Sequence, residues 1–131
     1  MKKTYPIVLM PEAVGFTVYI PDFEINTQGH DLTEAIEMAR DAIGLMGIDR
    51  EDDGLPLPDA SNFSSVKHEP GEIVSLVDVD FTDYRRKNDM RFVKKNCTIP
   101  NWLCREAELA GLNFSQVLQS AIKRELNIVS K

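Results

Sequence analysis

Lys94, Asn96 and Thr98 alternate along one short basic stretch, and alternation puts side chains on a single face of a β-strand. A row of hydrogen-bonding groups at that spacing suits base edges, because Lys reads guanine and Asn reads adenine by edge geometry. The alternative is a solvated strand face. Asn113, Phe114 and Ser115 open a helix-forming stretch, where backbone N–H groups and the helix dipole hold a phosphate. An ordinary helix cap is compatible with that role. Asp22, Glu24, Asp78 and Asp80 suggest a different chemistry, since paired carboxylates hold Mg2+ in two-metal sites. Alternation, however, puts Asp78 and Asp80 on the solvent side of a strand, where acids are unremarkable. His30 and His68 lack the neighbours of a triad or metal set, and Cys97 and Cys104 read as small apolar packing groups. Neither a metal, a cofactor nor an enzymatic activity is expected.

Charge divides the chain. Met1–Asp83 holds five Lys/Arg against seventeen Asp/Glu, a net of −12, whereas Tyr84–Lys131 holds ten against four, a net of +6. An overall charge of −6 therefore conceals an acidic body and a basic tail, which points to two partners of opposite sign. The N-terminus lacks the apolar stretch of a signal peptide, and no run approaches the roughly 20 apolar residues of a membrane span. The expectation is a cytoplasmic protein with reduced thiols.

The elements that must position these residues follow from periodicity. Tyr5–Met10 is a nearly continuous apolar run, and Phe16–Ile20 alternates, so the two predict a hairpin around Pro11–Gly15. Phe23–Gln28 predicts a third short strand. Asp31 is placed to cap a helix, with Glu34 reaching back to the cap. Leu32, Ala35, Ile36, Ala39, Ala42, Ile43 and Met46 keep the helical interval, and Gly44 and Gly47 are read as its end. Ile48–Gly71 reads as a long surface connection, with Glu51-Asp52-Asp53 as solvated loop, and Ile73–Phe81 as a last strand. The prediction is an α+β fold, an antiparallel sheet with one packed helix over residues 1–81. Residues 82–90, including Arg85-Arg86-Lys87, are polar and aperiodic and read as a linker.

Residues 91–131 then form a module of one strand and two helices. Pro100 fits a first helical turn, Gly111 a helix end, and Asn113 with Gln116 a capping pattern. Trp102 is read as a core or dimer anchor. So short a piece cannot bury an adequate core alone, and its single strand leaves both edges unpaired. Pairing two copies about a two-fold axis answers both problems. In that dimer Val93, Cys97, Ile99, Leu118 and Ile122 are the expected contacts between copies. The paired ribbon presents Lys94, Asn96 and Thr98 outward, at a width that fits the major groove.

Lys94-Lys95-Asn96-Cys97-Thr98-Ile99-Pro100-Asn101-Trp102-Leu103 and Asn113-Phe114-Ser115-Gln116-Val117-Leu118 resemble a ribbon-helix-helix DNA-binding module. Gly15-Phe16, Pro21-Asp22-Phe23, Thr27-Gln28-Gly29 and Leu32-Thr33-Glu34 are similar to the HicB antitoxin family. The family commonly has a Pro-Gly-Cys-type turn where this chain has Glu24-Ile25-Asn26. The resemblance implies a truncated RNase H-like N-terminal domain that binds and masks a small basic HicA-like ribonuclease toxin. It also implies repression of the protein's own operon through operator DNA, as a homodimer or a higher even-numbered oligomer. The toxin-binding residues do not follow from it. A stand-alone ribbon-helix-helix regulator with an acidic sensor domain is the alternative function.

Overall fold

The computed structural model describes residues 1–128, so the last three positions of the expected 91–131 module lie outside the described residues. The chain falls into two compact units, Met1–Arg91 and Phe92–Lys131. In the first, strands β1 (Lys2–Pro11), β2 (Phe16–Ile20), β3 (Ile25–Gly29) and β4 (Ile73–Asp80) form one sheet in the order β3-β2-β1-β4. Every neighbouring pair is antiparallel. Strand β1 is apolar on both faces rather than alternating. Tyr5, Ile7 and Leu9 join the core, and Pro6 and Val8 on the opposite face are buried as well. Pro6 lies beyond the last recorded pair with β2, Val8 with Tyr19, so its missing N–H costs no ladder bond there. Phe23, expected at the start of a strand, instead sits in the turn Pro21–Glu24 with its ring edge-on to Tyr5 at 5.0 Å.

Helix α1 spans Leu32–Asp52, and Gly44 and Gly47 do not end it. They are needed for another reason. A Cβ built on Gly44 would lie 2.4 Å from the Tyr84 ring, and one on Gly47 would lie 2.1 Å from the Phe81 ring. Those rings belong to α2 (Phe81–Asn88), a helix where a linker was expected, so two helices rather than one pack on the sheet's core side. Asp80 caps α2, its side chain accepting from Asp83 N–H. The true end of α1 is Gly54, at φ +73°, where Gly54 N–H donates to the Glu51 carbonyl (3.0 Å) and Leu55 N–H to that of Arg50 (2.9 Å). At the other end Asp31 caps as expected, and Glu34 reaches back to the N–H of His30 rather than of Asp31.

The connection to β4 therefore begins after α1 and is anchored at several points. Tyr5 Oη donates to the Pro58 carbonyl at 2.8 Å, Asp22 accepts from both the N–H and the hydroxyl of Ser61, and a 3-10 turn at Phe63–Ser65 contacts β4. In β4 the expected alternation holds: Val77 and Val79 are buried while Asp80 is exposed.

The second unit contains α3 (Asn101–Leu109) and α4 (Phe114–Glu125). Pro100 precedes α3 at the cap position instead of occupying its first turn. Asn113 caps α4 by accepting from Gln116 N–H at 3.1 Å. The expected strand, residues 91–99, has no ladder, because within one chain it has no second strand to pair with.

Candidate functional site

The structure redraws the charge boundary. Met1–Arg91 carries nine Lys/Arg against eighteen Asp/Glu, a net of −9, and Phe92–Lys131 carries six against three, a net of +3. Two of the cations formerly assigned to the basic tail are spent inside the acidic unit. Arg85 reaches Asp52 (3.1 Å), Asp89 (3.3 Å), Glu51 (3.4 Å) and the Ile48 carbonyl (3.3 Å). Arg91 binds Asp52 at 3.0 Å and Asp89 at 2.8 Å. Glu51 and Asp52 are thus ends of α1 engaged by arginine, not solvated loop, and Arg85 is a structural cation rather than a linker charge. Hydrogen bonding from Arg91, with Arg85 adding to it, holds the Asp89 carboxyl far below the usual carboxylate range. Tyr84 donates to Asp41 at 2.9 Å, and burial followed by that bond pushes its hydroxyl up to about 12.

The four carboxylates considered for metal chemistry each have other duties or positions. Asp78 binds Lys2 (3.2 Å) and Arg40 (3.3 Å), and its pKa is lowered chiefly by the Lys2 bond. Asp80 caps α2, Asp22 holds Ser61, and Glu24 occupies a turn at φ +53°. Among the described residues no three His, Cys, Asp or Glu group together as a metal site. His68 lies 3.1 Å from the Val66 carbonyl.

In the second unit, no residue of α3 or α4 is buried. Their apolar faces instead line an open groove with Ile99, Leu103, Leu112, Phe114, Val117 and Leu118 on its walls. Lys94, Asn96 and Thr98 are exposed, and their odd-numbered neighbours Lys95, Cys97 and Ile99 line the groove, as alternation requires. Of the expected dimer contacts, Cys97, Ile99 and Leu118 are groove residues, while Val93 (88% exposed) and Ile122 (48%) lie outside its lining. Phe114 and Ser115 also line it, whereas Asn113 is occupied as a cap. Trp102 is exposed. Cys97 is exposed rather than packed, and the Cys104 thiol donates to Glu108 (3.0 Å), which raises its pKa.

The sequence model for HicB-like antitoxins of bacterial toxin-antitoxin systems matches residues 5–117. The chain belongs to that family. Among solved structures, a toxin-antitoxin complex from Streptococcus pneumoniae is similar at 28% identity with a TM-score of 0.62, over 95% of this chain and 99% of that one. The HicB antitoxin of Burkholderia pseudomallei shares the fold at 20% identity and TM-score 0.54, over 92% and 96%. A HicA3 and HicB3 toxin-antitoxin complex does so at 24% and 0.51, over 60% of this chain and 99% of that one. No curated protein sequence matches. No helix among the described residues of this HicB-like chain is long and apolar enough to cross a membrane. What sequence reasoning missed in it is α2, although Asp80 as a cap and the i,i+4 pairs Asp83–Lys87 and Arg85–Asp89 were available as signals.

Proposed function

We propose that this HicB-like antitoxin binds and masks a small basic HicA-like ribonuclease through Met1–Arg91 and represses its own operon through Phe92–Lys131. The observation that carries the DNA half is that two amphipathic helices, α4 side-chain capped by Asn113, leave none of their residues buried within one chain. Their groove lies beside an exposed extended segment bearing Lys94, Asn96 and Thr98. A second copy supplies the missing strand and core, giving a ribbon-helix-helix dimer. The toxin half is supported by family membership, by the toxin-antitoxin complexes among similar structures, and by the net of −9, which complements a cationic partner. A three-stranded meander, helices on one face and a fourth strand beside the first support reading Met1–Arg91 as a truncated RNase H-like domain. The role is regulatory, with no catalytic residue assigned and no cofactor.

Lys94→Ala combined with Asn96→Ala tests the ribbon. Operator affinity, measured by fluorescence anisotropy, is expected to fall at least about tenfold, since each good base contact contributes about 1–3 kcal/mol. Sedimentation should show the oligomer unchanged. Binding indifferent to both substitutions rules out this face as the DNA reader.

A further inference from the structure

The outer edge of β4 is half closed and half open, and the alternation of its hydrogen bonds says where. Phe81 N–H donates to the Met1 carbonyl at 3.0 Å, one step beyond the Lys2–Asp80 pair. Antiparallel ladders alternate, so Val79, Val77, Ser75 and Ile73 turn their backbone groups inward to β1. Val74, Leu76, Asp78 and Asp80 turn theirs outward. Arg40 agrees with that assignment, because its Nε donates to the Asp78 carbonyl at 3.0 Å while its Nη2 holds the Asp78 carboxylate. With Asp80 committed to capping α2, this end of the edge is blocked. At Val74 and Leu76 the outward N–H and C=O make no hydrogen bond among the described residues. Leu76 is also 52% exposed beside them. The sheet's other edge differs: β3 exposes polar Asn26 and Gln28, and Gly29 at its end is pressed against Ala35.

An exposed edge of this kind templates strand addition. Two candidate occupants separate by charge. A second copy pairing antiparallel there would bring together two units of net −9 each. A strand from a basic protein meets Glu69 and Glu72 at one end and the acidic unit around it with opposite charge. We infer that the Val74–Leu76 edge is where the basic toxin docks, adding one of its strands to the antitoxin sheet. The inference rests on the masking role proposed above and assigns it a surface.

Amide hydrogen exchange by NMR tests it, on the full antitoxin alone and with a catalytically inactive form of a basic HicA-like toxin. The Val74 and Leu76 amides should exchange freely alone and slow by at least about a hundredfold in the complex. Leu76→Pro deletes an outward donor without removing a bond to β1, so toxin affinity should drop at least about tenfold if the variant's melting curve is native. Should that variant unfold, the exchange result still decides. A toxin that binds while both amides remain fast overturns the edge and leaves the masking role standing. A toxin that does not bind overturns both. Protection that grows with antitoxin concentration and needs no toxin assigns the edge to a second copy, and overturns the proposal too.

Discussion

Met1–Arg91 and Phe92–Lys131 are built from similar parts and reach opposite ends of the burial scale. The first sequesters Tyr5, Ile7, Leu9, Val18, Ile20, Ile43, Val77 and Phe81 almost completely. The second has comparable apolar residues at helical spacing and leaves Leu103, Phe114, Val117, Leu118 and Ile122 between 38% and 49% exposed. Local signals cannot account for the contrast, since α1 and α4 are both capped by side chains that accept from a backbone N–H. What differs is the number of layers. A sheet with helices on one face closes a core within one chain, whereas two short helices and an extended segment do not. The lesson is that capping and periodicity specify elements, while burial reports whether the molecule in hand is the whole folding unit.

The sharpest way to break the comparison is to damage the core each unit depends on. Phe81→Ala removes a ring that is 2% exposed and seated on Gly47, so it is expected to cost about 3–5 kcal/mol, a large part of a typical domain's stability. Thermal unfolding of the first unit should register that loss at any protein concentration. Leu118→Ala should behave differently. In dilute solution, where copies are separate, it should change little. In the proposed dimer it should raise the dissociation midpoint at least about tenfold, measured by sedimentation across a concentration series, because the substitution is felt in both copies. If Leu118→Ala behaved like Phe81→Ala, the second unit would have a core of its own and the contrast would fail.

The pH response sharpens the comparison within the first unit, where α2 is held by groups at both ends of the scale. The Tyr84 pKa is raised from its ordinary value near 10 to about 12. Its bond to Asp41 therefore stabilises the fold fully below pH about 10 and loses that contribution as pH rises toward 12. Tyr84→Phe should flatten the melting temperature in that window. Asp89 is shifted the other way by Arg91 and Arg85, so its contribution is present above the ordinary carboxylate pKa and lost in acid. Asp89→Asn should lower stability at neutral pH and weaken its fall below pH about 4. Added salt should mimic Asp89→Asn in part, because these pairs are only partly buried.

How far the sequence was legible follows the same division. Strands β1, β2 and β4, the cap at Asp31 and the capped helix at Asn113 were readable because each depends on neighbours within a few residues. Gly44 and Gly47 misled because a helical glycine and a terminating glycine look alike until the partner ring is known. Only contacts more than thirty residues away, from Tyr84 and Phe81, distinguish them. Residues 81–88 failed as a helix by the apolar criterion because α2 is anchored by two aromatics and by ion pairs rather than by an apolar stripe. Lys94, Asn96 and Thr98 were placed on a common face by alternation alone. The proposed DNA contact of that face depends on the second copy proposed above, which one chain does not contain.

The smallest effect expected concerns the turn between β2 and β3, where this chain departs from the Pro-Gly-Cys pattern of the family it resembles. Glu24 adopts φ +53° there, and its N–H donates to the Pro21 carbonyl at 3.2 Å. An L-residue in the left-handed region loses about 1–2 kcal/mol to crowding of its Cβ against the carbonyl, and glycine avoids that loss. Glycine also has more freedom to lose on folding, about 0.5–1 kcal/mol. The difference leaves Glu24→Gly stabilising by about 0.5–1 kcal/mol, or roughly 2–8 °C in the melting temperature of a domain this size. Glu24→Ala separates geometry from charge, because it keeps the Cβ and removes only the carboxylate. If Ala stabilises as much as Gly does, the gain comes from relieving acidic repulsion in a unit of net −9, and the backbone account of this turn is wrong.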